Sequence, residues 1–191
     1  MSKDAQFTIY PLTADRWDDF ERLFGENGAC GGCWCMWWRQ TGSQFEHMKY
    51  EQNKQAMHSL VESNRRPGLI AYMNGDPVGW CAVEPRENYP RLSRSRTLKK
   101  VDDVPVWSVV CFYIHKAWRK QGLMTRLLRQ AIGYVHEQGG QVVEGYPIIP
   151  KKDSVPGMYA FTGLVSAFRE LGFVEVARRS EYRPIMRYTI S

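Results

Sequence analysis

Apolar positions recur along this chain with two periods. Phe7–Tyr10 alternates and predicts a first strand; Ala14–Phe24 then sets Trp17, Phe20, Leu23 and Phe24 on one helical face. Ser43-Gln44-Phe45-Glu46 has the capping-box spacing, which predicts a second helix buried through Phe45, Met48, Met57, Leu60 and Val61. Gly68–Met73 and Val78–Val83 read as strands joined at Asn74-Gly75, a strong hairpin signal. The polar stretch from Glu84 to Asp103, with Arg91, Arg94, Arg96, Lys99 and Lys100, is too long for an ordinary connection, so a functional or mobile segment is expected there.

The near-continuous apolar run Val106–Ile114 predicts a central strand. A short basic loop, Arg119-Lys120-Gln121-Gly122, leads into a helix over Leu123–Gln138 with Leu127, Leu128, Ala131, Tyr134 and Val135 inside. Gly139-Gly140 stops that helix and Gln141–Tyr146 is again a strand, making a βαβ unit with parallel strands. After a loop from Pro147 to Gly157 come a short helix at Gly163–Leu171 and strands at Phe173–Arg178 and Ile185–Thr189. The pattern as a whole predicts an α/β or α+β fold, a mixed sheet with helices on both faces, and 191 residues are expected to form one domain spanning 1–191.

Composition narrows the function. No apolar run reaches the ~18 residues that cross a bilayer, and MSKDAQF lacks a signal-peptide core, so the expectation is a cytoplasmic protein with no membrane partner. A net charge of +6 suits an anionic ligand, but the charge is dispersed and nucleic acid is not expected. Five cysteines, an odd number, argue against a disulfide framework.

The strand-to-helix junction aims backbone N–H groups and a helix N-terminus at one point, which favours a phosphate. Gly122-Leu123-Met124 lacks the Lys and Ser/Thr of a P-loop, and a single glycine is no dinucleotide fingerprint. Arg119-x-x-Gly122 remains, with the N–H groups of Lys120 to Thr125 as donors and positive charge from Arg119, Lys120 and Arg126; a basic helix cap that binds nothing is the alternative.

The run FYIHKAWRKQGLMTRLL resembles the acetyl-CoA motif of the GNAT N-acetyltransferase superfamily, Arg/Gln-x-x-Gly-x-Gly/Ala after an apolar strand. Leu171-Gly172-Phe173 is similar to the ending of that fold, and the order of elements resembles it over most of the chain. Met124 departs from the motif, standing where Gly or Ala is usual. The resemblance implies a largely antiparallel sheet of about seven strands whose central parallel pair splays apart. It implies that pantetheine lies in the gap against the backbone of Phe112, Tyr113 and Ile114. Arg119, Lys120, Gln121, Gly122, Leu123, Met124 and Thr125 would then hold the pyrophosphate of acetyl-CoA. The segment Cys30–Arg39, with Val106-Trp107 and Arg183–Arg187, also looks like a GNAT subgroup, which implies no particular acceptor.

Acetyl transfer to an amine needs a base, an oxyanion donor and, optionally, an acid for the leaving thiolate. Backbone N–H near Phe112 or Tyr113 is the expected donor. Glu84 and Glu144 are the candidate bases; structural hydrogen bonding by each is the competing reading. Many GNATs carry a Tyr before the final glycine turn, and Phe168 stands at that place here. Tyr159 and Ser166 are the nearby substitutes, and departure as a free thiolate is the alternative. Cys30-Gly31-Gly32-Cys33-Trp34-Cys35 could begin a zinc site but has no evident fourth ligand, so no metal is expected. The same stretch borders the acceptor by resemblance, giving Trp34, Cys35 and Trp37 as substrate-binding candidates, with core packing explaining the rest. The expected partner is a small-molecule or peptide amine, and exposed terminal strands would allow a homodimer. Another CoA-thioester reaction, or a non-catalytic acyl-CoA sensor, stays open.

Overall fold

A computed structural model describes residues 6–150 and 160–191. Seven strands, β1 (Phe7–Pro11), β2 (Gly68–Met73), β3 (Asp76–Pro85), β4 (Trp107–Ile114), β5 (Val142–Gly145), β6 (Val174–Arg178) and β7 (Pro184–Thr189), form one sheet in the order β1-β2-β3-β4-β5-β7-β6. Every neighbouring pair is antiparallel except β4 and β5, which the crossover helix makes parallel.

Both faces of the sheet are covered. Against one lie α1 (Trp17–Phe24) and α3 (Glu51–Glu62), whose Trp17, Phe20, Phe24, Met57 and Val61 pack with Ile70, Trp80 and Val110. Against the other lie α5 (Leu123–Glu137) and α6 (Val165–Glu170), whose Leu127, Leu128, Ala131, Val135 and Phe168 pack with Leu69, Cys81, Val109 and Val143. Leu127 and Leu128 are fully buried; each such leucine contributes ~1.5–3 kcal/mol of transfer free energy, which fixes the rotational setting of α5 and with it the direction of its N-terminus. Among the described residues no helix is long and apolar enough to cross a membrane.

The second helix departs from expectation in two respects. The capping box sits at Thr41, not Ser43: the Thr41 hydroxyl accepts from Gln44 N–H while the Gln44 side chain accepts from Thr41 N–H. That helix, α2 (Gly42–His47), is separate from α3, the chain breaking at Tyr50 with φ 64°. The polar stretch after β3 is an ordered strap containing α4 (Pro90–Arg94), anchored by the fully buried Tyr89 and Leu92 and by Leu98. Periodic anchors in a mostly charged segment are too sparse to register as an apolar face.

The sheet opens at its centre. β4 and β5 pair only over Trp107↔Val143, Ser108↔Glu144 and Val109↔Gly145, after which β4 runs on alone beside β3. The register against β3 shifts at the same place, leaving Val110 as an extra residue on β4, and such a bulge bends and twists its strand away from a neighbour.

Candidate functional site

The closed end of the fork is pinned by charge. Across the sheet Glu84, Ser108, Glu144 and Arg187 stand in one row of partners. Glu144 is 1 % exposed. One of its oxygens accepts from Arg86 Nη1 at 2.9 Å and from the Tyr146 hydroxyl at 2.6 Å, the other from Arg187 Nε at 2.8 Å. Ser108 and Tyr146 hydroxyls are 2.8 Å apart, and Arg187 reaches on to both oxygens of Asp102. Burial, followed by the Glu144 charge, holds the Tyr146 phenol protonated well above its ordinary range.

Glu84 is equally committed. One oxygen takes Arg39 Nη1; the other takes Arg65 Nη2 at 2.8 Å and Asn88 Nδ2 at 3.2 Å. Both carboxylates are therefore neutralised by guanidinium groups, and neither lies in the wall of the cavity described next. Their geometry is that of structural anchors, the competing reading from the sequence.

The cavity, of about 500 Å³, lies on the α1 side of β4. Its wall takes Phe24 from α1, Cys30, Cys33, Cys35, Trp37 and Trp38 from the loop before α2, Phe45 and Glu46 from α2, and Cys111, Phe112 and Tyr113 from β4. Ala29, Gly31, Lys49, Phe161 and Arg119 also line it. A wider depression of about 620 Å³, lined by Asp18, Glu21, Glu26 and Glu51 among others, contains no residue of β4 or α5 and so lies apart from the fork.

Of the substrate-binding candidates, Cys35 and Trp37 reach the cavity and Trp34 does not. Trp34 stacks on Phe24 with ring centres 5.7 Å apart, beside Trp17. Trp37 is half exposed and sandwiched, with Arg91 stacked 3.6 Å from its ring centre and Phe45 edge-on at 4.9 Å. The Cys35 sulfur accepts Trp80 Nε1–H at 3.0 Å. Burial opposes ionising Cys35, but a hydrogen bond from the Cys111 thiol, the Arg39 charge and the Trp80 N–H outweigh it and hold its pKa below the usual thiol value. Among the described residues no group of three or more His, Cys, Asp and Glu is arranged to hold a metal.

Backbone direction alternates along a strand, so Phe112 and Ile114 face the fork and Tyr113 faces β3. The Phe112 N–H is already taken: it donates to the Phe161 carbonyl at 2.6 Å, from the turn Ala160–Gly163 that crosses the fork. Tyr113 instead contributes its side chain, on the same side as Cys111 two residues earlier, and among the described residues it is the one hydroxyl-bearing residue lining the cavity. Burial raises its pKa, keeping the phenol protonated. Among the described residues Glu46 is the one carboxylate lining it, and it pairs at 2.6 Å with Lys49, which lines it too. Neither side chain stood out in the sequence, because nothing in local spacing marks which face of β4 or α2 the cavity takes.

Phe168 is fully buried, edge-on to Phe112 and Phe173. Its ring fits between two glycine backbones: a Cβ on Gly145 would lie 2.1 Å, and one on Gly163 2.6 Å, from its carbons. It is a wedge in the fork and has no proton to give. Ser166 is exposed on α6 and away from the cavity wall; Tyr159 lies outside the described residues.

At the other end of the fork Lys120 (φ 60°) and Gly122 (φ 74°) turn the chain into α5. Among the described residues no acceptor is found for the N–H groups of Lys120, Gln121, Gly122, Leu123, Met124 and Thr125; the first helical bond is Arg126 N–H to Gly122 O at 3.1 Å. No protein atom lies within 4 Å of where a Gly122 Cβ would stand. Arg119 donates Nε–H to Ile114 O at 2.9 Å and joins this junction to the cavity, whereas Arg126 is turned away onto the Phe7 ring at 3.5 Å.

The Acetyltransferase (GNAT) family model matches residues 30–145. Solved structures share the fold at low identity. A PaiA N-acetyltransferase from Thermoplasma acidophilum in complex with coenzyme A is 15% identical, with TM-score 0.53, over 97% of this chain and 99% of that one. A ribosomal-protein-S5-alanine acetyltransferase from Vibrio fischeri is 13% identical, with TM-score 0.56, over 96% and 92%. A GNAT-family acetyltransferase from Streptococcus pneumoniae is 12% identical, with TM-score 0.55, over 97% and 100%. A comparison with curated proteins gave no match.

Proposed function

The chain belongs to the acetyltransferase (GNAT) family, and from that premise we propose that it moves an acetyl group from acetyl-CoA to a primary amine of a small molecule or peptide by direct attack. The observation that carries this reading is the junction of β4 and α5. A run of backbone N–H groups at the start of α5, Gly122 to Thr125, with no acceptor among the described residues and with Arg119 and Lys120 beside it, opens onto a fork that leads to a cavity. An anion as highly charged as a pyrophosphate is what such a helix start and basic loop favour. The thioester arm then runs along β4 toward Ile114 and Phe112, and the acceptor enters from the aromatic wall.

In this reading the cavity's aromatic faces attract the ammonium form of the acceptor, while Glu46 in the same wall is paired with Lys49. Glu84 and Glu144 hold the fork and do not take the proton. The Tyr113 phenol, kept protonated by burial, is the acid for the departing thiolate, with Tyr159 the second phenol to test and Ser166 set aside by its exposure. The oxyanion needs a donor at the fork; the Phe112 N–H serves only once the Phe161 carbonyl is displaced.

The test is free-thiol release from acetyl-CoA by the purified protein with a panel of primary amines, with product masses recorded. Thiol release with an acetylated amine is expected. CoA binding with no release from any amine would overturn the transferase reading in favour of an acyl-CoA sensor. Gly122→Asp should weaken CoA binding by ~100-fold or more, since a carboxylate would stand among the donors, and ~100-fold corresponds to ~2.7 kcal/mol. The space around Gly122 is open, so the fold should bear the change at a cost of ~1–2 kcal/mol for a side chain at that φ.

A further inference from the structure

Four of the five cysteines line the cavity, and acyl transfer as described uses none of them. Their environments differ sharply. Cys30 is exposed. Cys33 donates its S–H to Gly28 O at 3.3 Å, and burial pushes its pKa up to about 11. Cys35 is 3 % exposed. It lines the cavity and its sulfur accepts the Trp80 indole N–H, with Cys111 of β4 as the neighbouring thiol in the same wall. The Arg39 guanidinium stands nearby, opposed by Glu84.

An N–H hydrogen bond to the sulfur favours the thiolate, the nucleophilic form. The second thiol, Cys111 in the same cavity wall, is placed as a resolving partner. We propose that Cys35 and Cys111 form an oxidisable thiol pair in the cavity wall, in which a small hydroperoxide reacts at Cys35 and Cys111 closes the disulfide. In the first step the Cys35 sulfur attacks a peroxide oxygen: an S–O bond forms, the O–O bond breaks, and the leaving oxygen takes a proton as alcohol or water. In the second, the Cys111 sulfur attacks the sulfenic sulfur. The S–S bond forms, the S–O bond breaks, and hydroxide leaves with the Cys111 proton as water. Both thiols are oxidised and the peroxide is the only oxidant. The product ties the loop before α2 to β4 across the cavity, on the side where an acceptor would enter.

The consequence runs against simple accessibility, since the nearly buried Cys35 reacts ahead of the exposed Cys30. Purified protein, reduced and then treated with stoichiometric hydrogen peroxide, is digested and mapped by mass spectrometry over time. The expected result is a Cys35–Cys111 linked peptide appearing before any change at Cys30 or Cys33, and reversed by a thiol reductant. Cys111→Ser leaves Cys35 in place, and a dimedone adduct at Cys35 is then expected. Cys35→Ser should abolish the linked peptide, with its thermal melt confirming the fold. Oxidation first at Cys30 or Cys33, or absence of the dimedone adduct in folded Cys111→Ser protein, overturns the proposal. These readouts need no turnover, so they stand or fall apart from the acyl-transfer reading.

Discussion

Glu144→Gln separates the two roles open to this carboxylate. The substitution keeps shape and volume but removes the charge that faces Arg86, Arg187 and Tyr146. The amide can accept on one side only, so its NH₂ confronts a donor at the other, and two buried guanidinium groups lose their counter-charge. Arg187 retains Asp102, whereas Arg86 keeps the Tyr146 hydroxyl and Leu98 O. Breaking a buried pair from one side costs ~3–5 kcal/mol. For a chain of 191 residues that is a fall in Tm of roughly 6–20 °C. Urea unfolding followed by circular dichroism measures the loss, and acetyl-CoA turnover is read at a temperature where the variant is folded. The reasoning is refuted if the urea midpoint is unchanged while turnover is abolished, because the carboxylate would then act on the substrate and not on the fork.

Gly145→Ala should cost ~1–3 kcal/mol by overpacking against Phe168, and the double variant with Phe168→Leu should recover part of it; strictly additive losses would show that the ring is not the obstacle. Stability should fall on the alkaline side. Unfolded thiols release protons near pH 9, whereas folded Cys33 holds its proton to about 11 and Cys81 and Cys111 are raised well above the usual value. The unfolded state then binds fewer protons, so ΔG of unfolding drops as pH rises from about 9 to about 11, by at most ~3 kcal/mol for Cys33. A Tm that stays flat between pH 8.5 and 10.5, by scanning calorimetry at about those values, would contradict this account of the buried thiols.

Most strands and the long helix were legible because each presents a period to a single core face: Leu127, Leu128, Ala131 and Val135 lie where the pattern puts them. The parallel pair followed from strand, helix and strand within one short span. The turn from β4 into α5 was legible too, since a glycine at positive φ and a basic loop are local properties of the chain. What was not legible is long-range. Glu84 and Glu144 read as available carboxylates until Arg39, Arg65, Arg86 and Arg187 arrive from distant segments. Trp34 and Trp37 look alike in the sequence, yet one is stacked in the core and the other lines the cavity. The strap carrying Tyr89 and Leu92 was hidden by the charge around its anchors.

In the proposed function the β4–α5 junction holds the cofactor. Amide hydrogen exchange with and without saturating acetyl-CoA tests it residue by residue. Slowed exchange at Lys120–Thr125 and at Ile114 is predicted, with the α1–α3 depression unaffected. Unchanged exchange at the junction in protein that has bound acetyl-CoA would contradict the account.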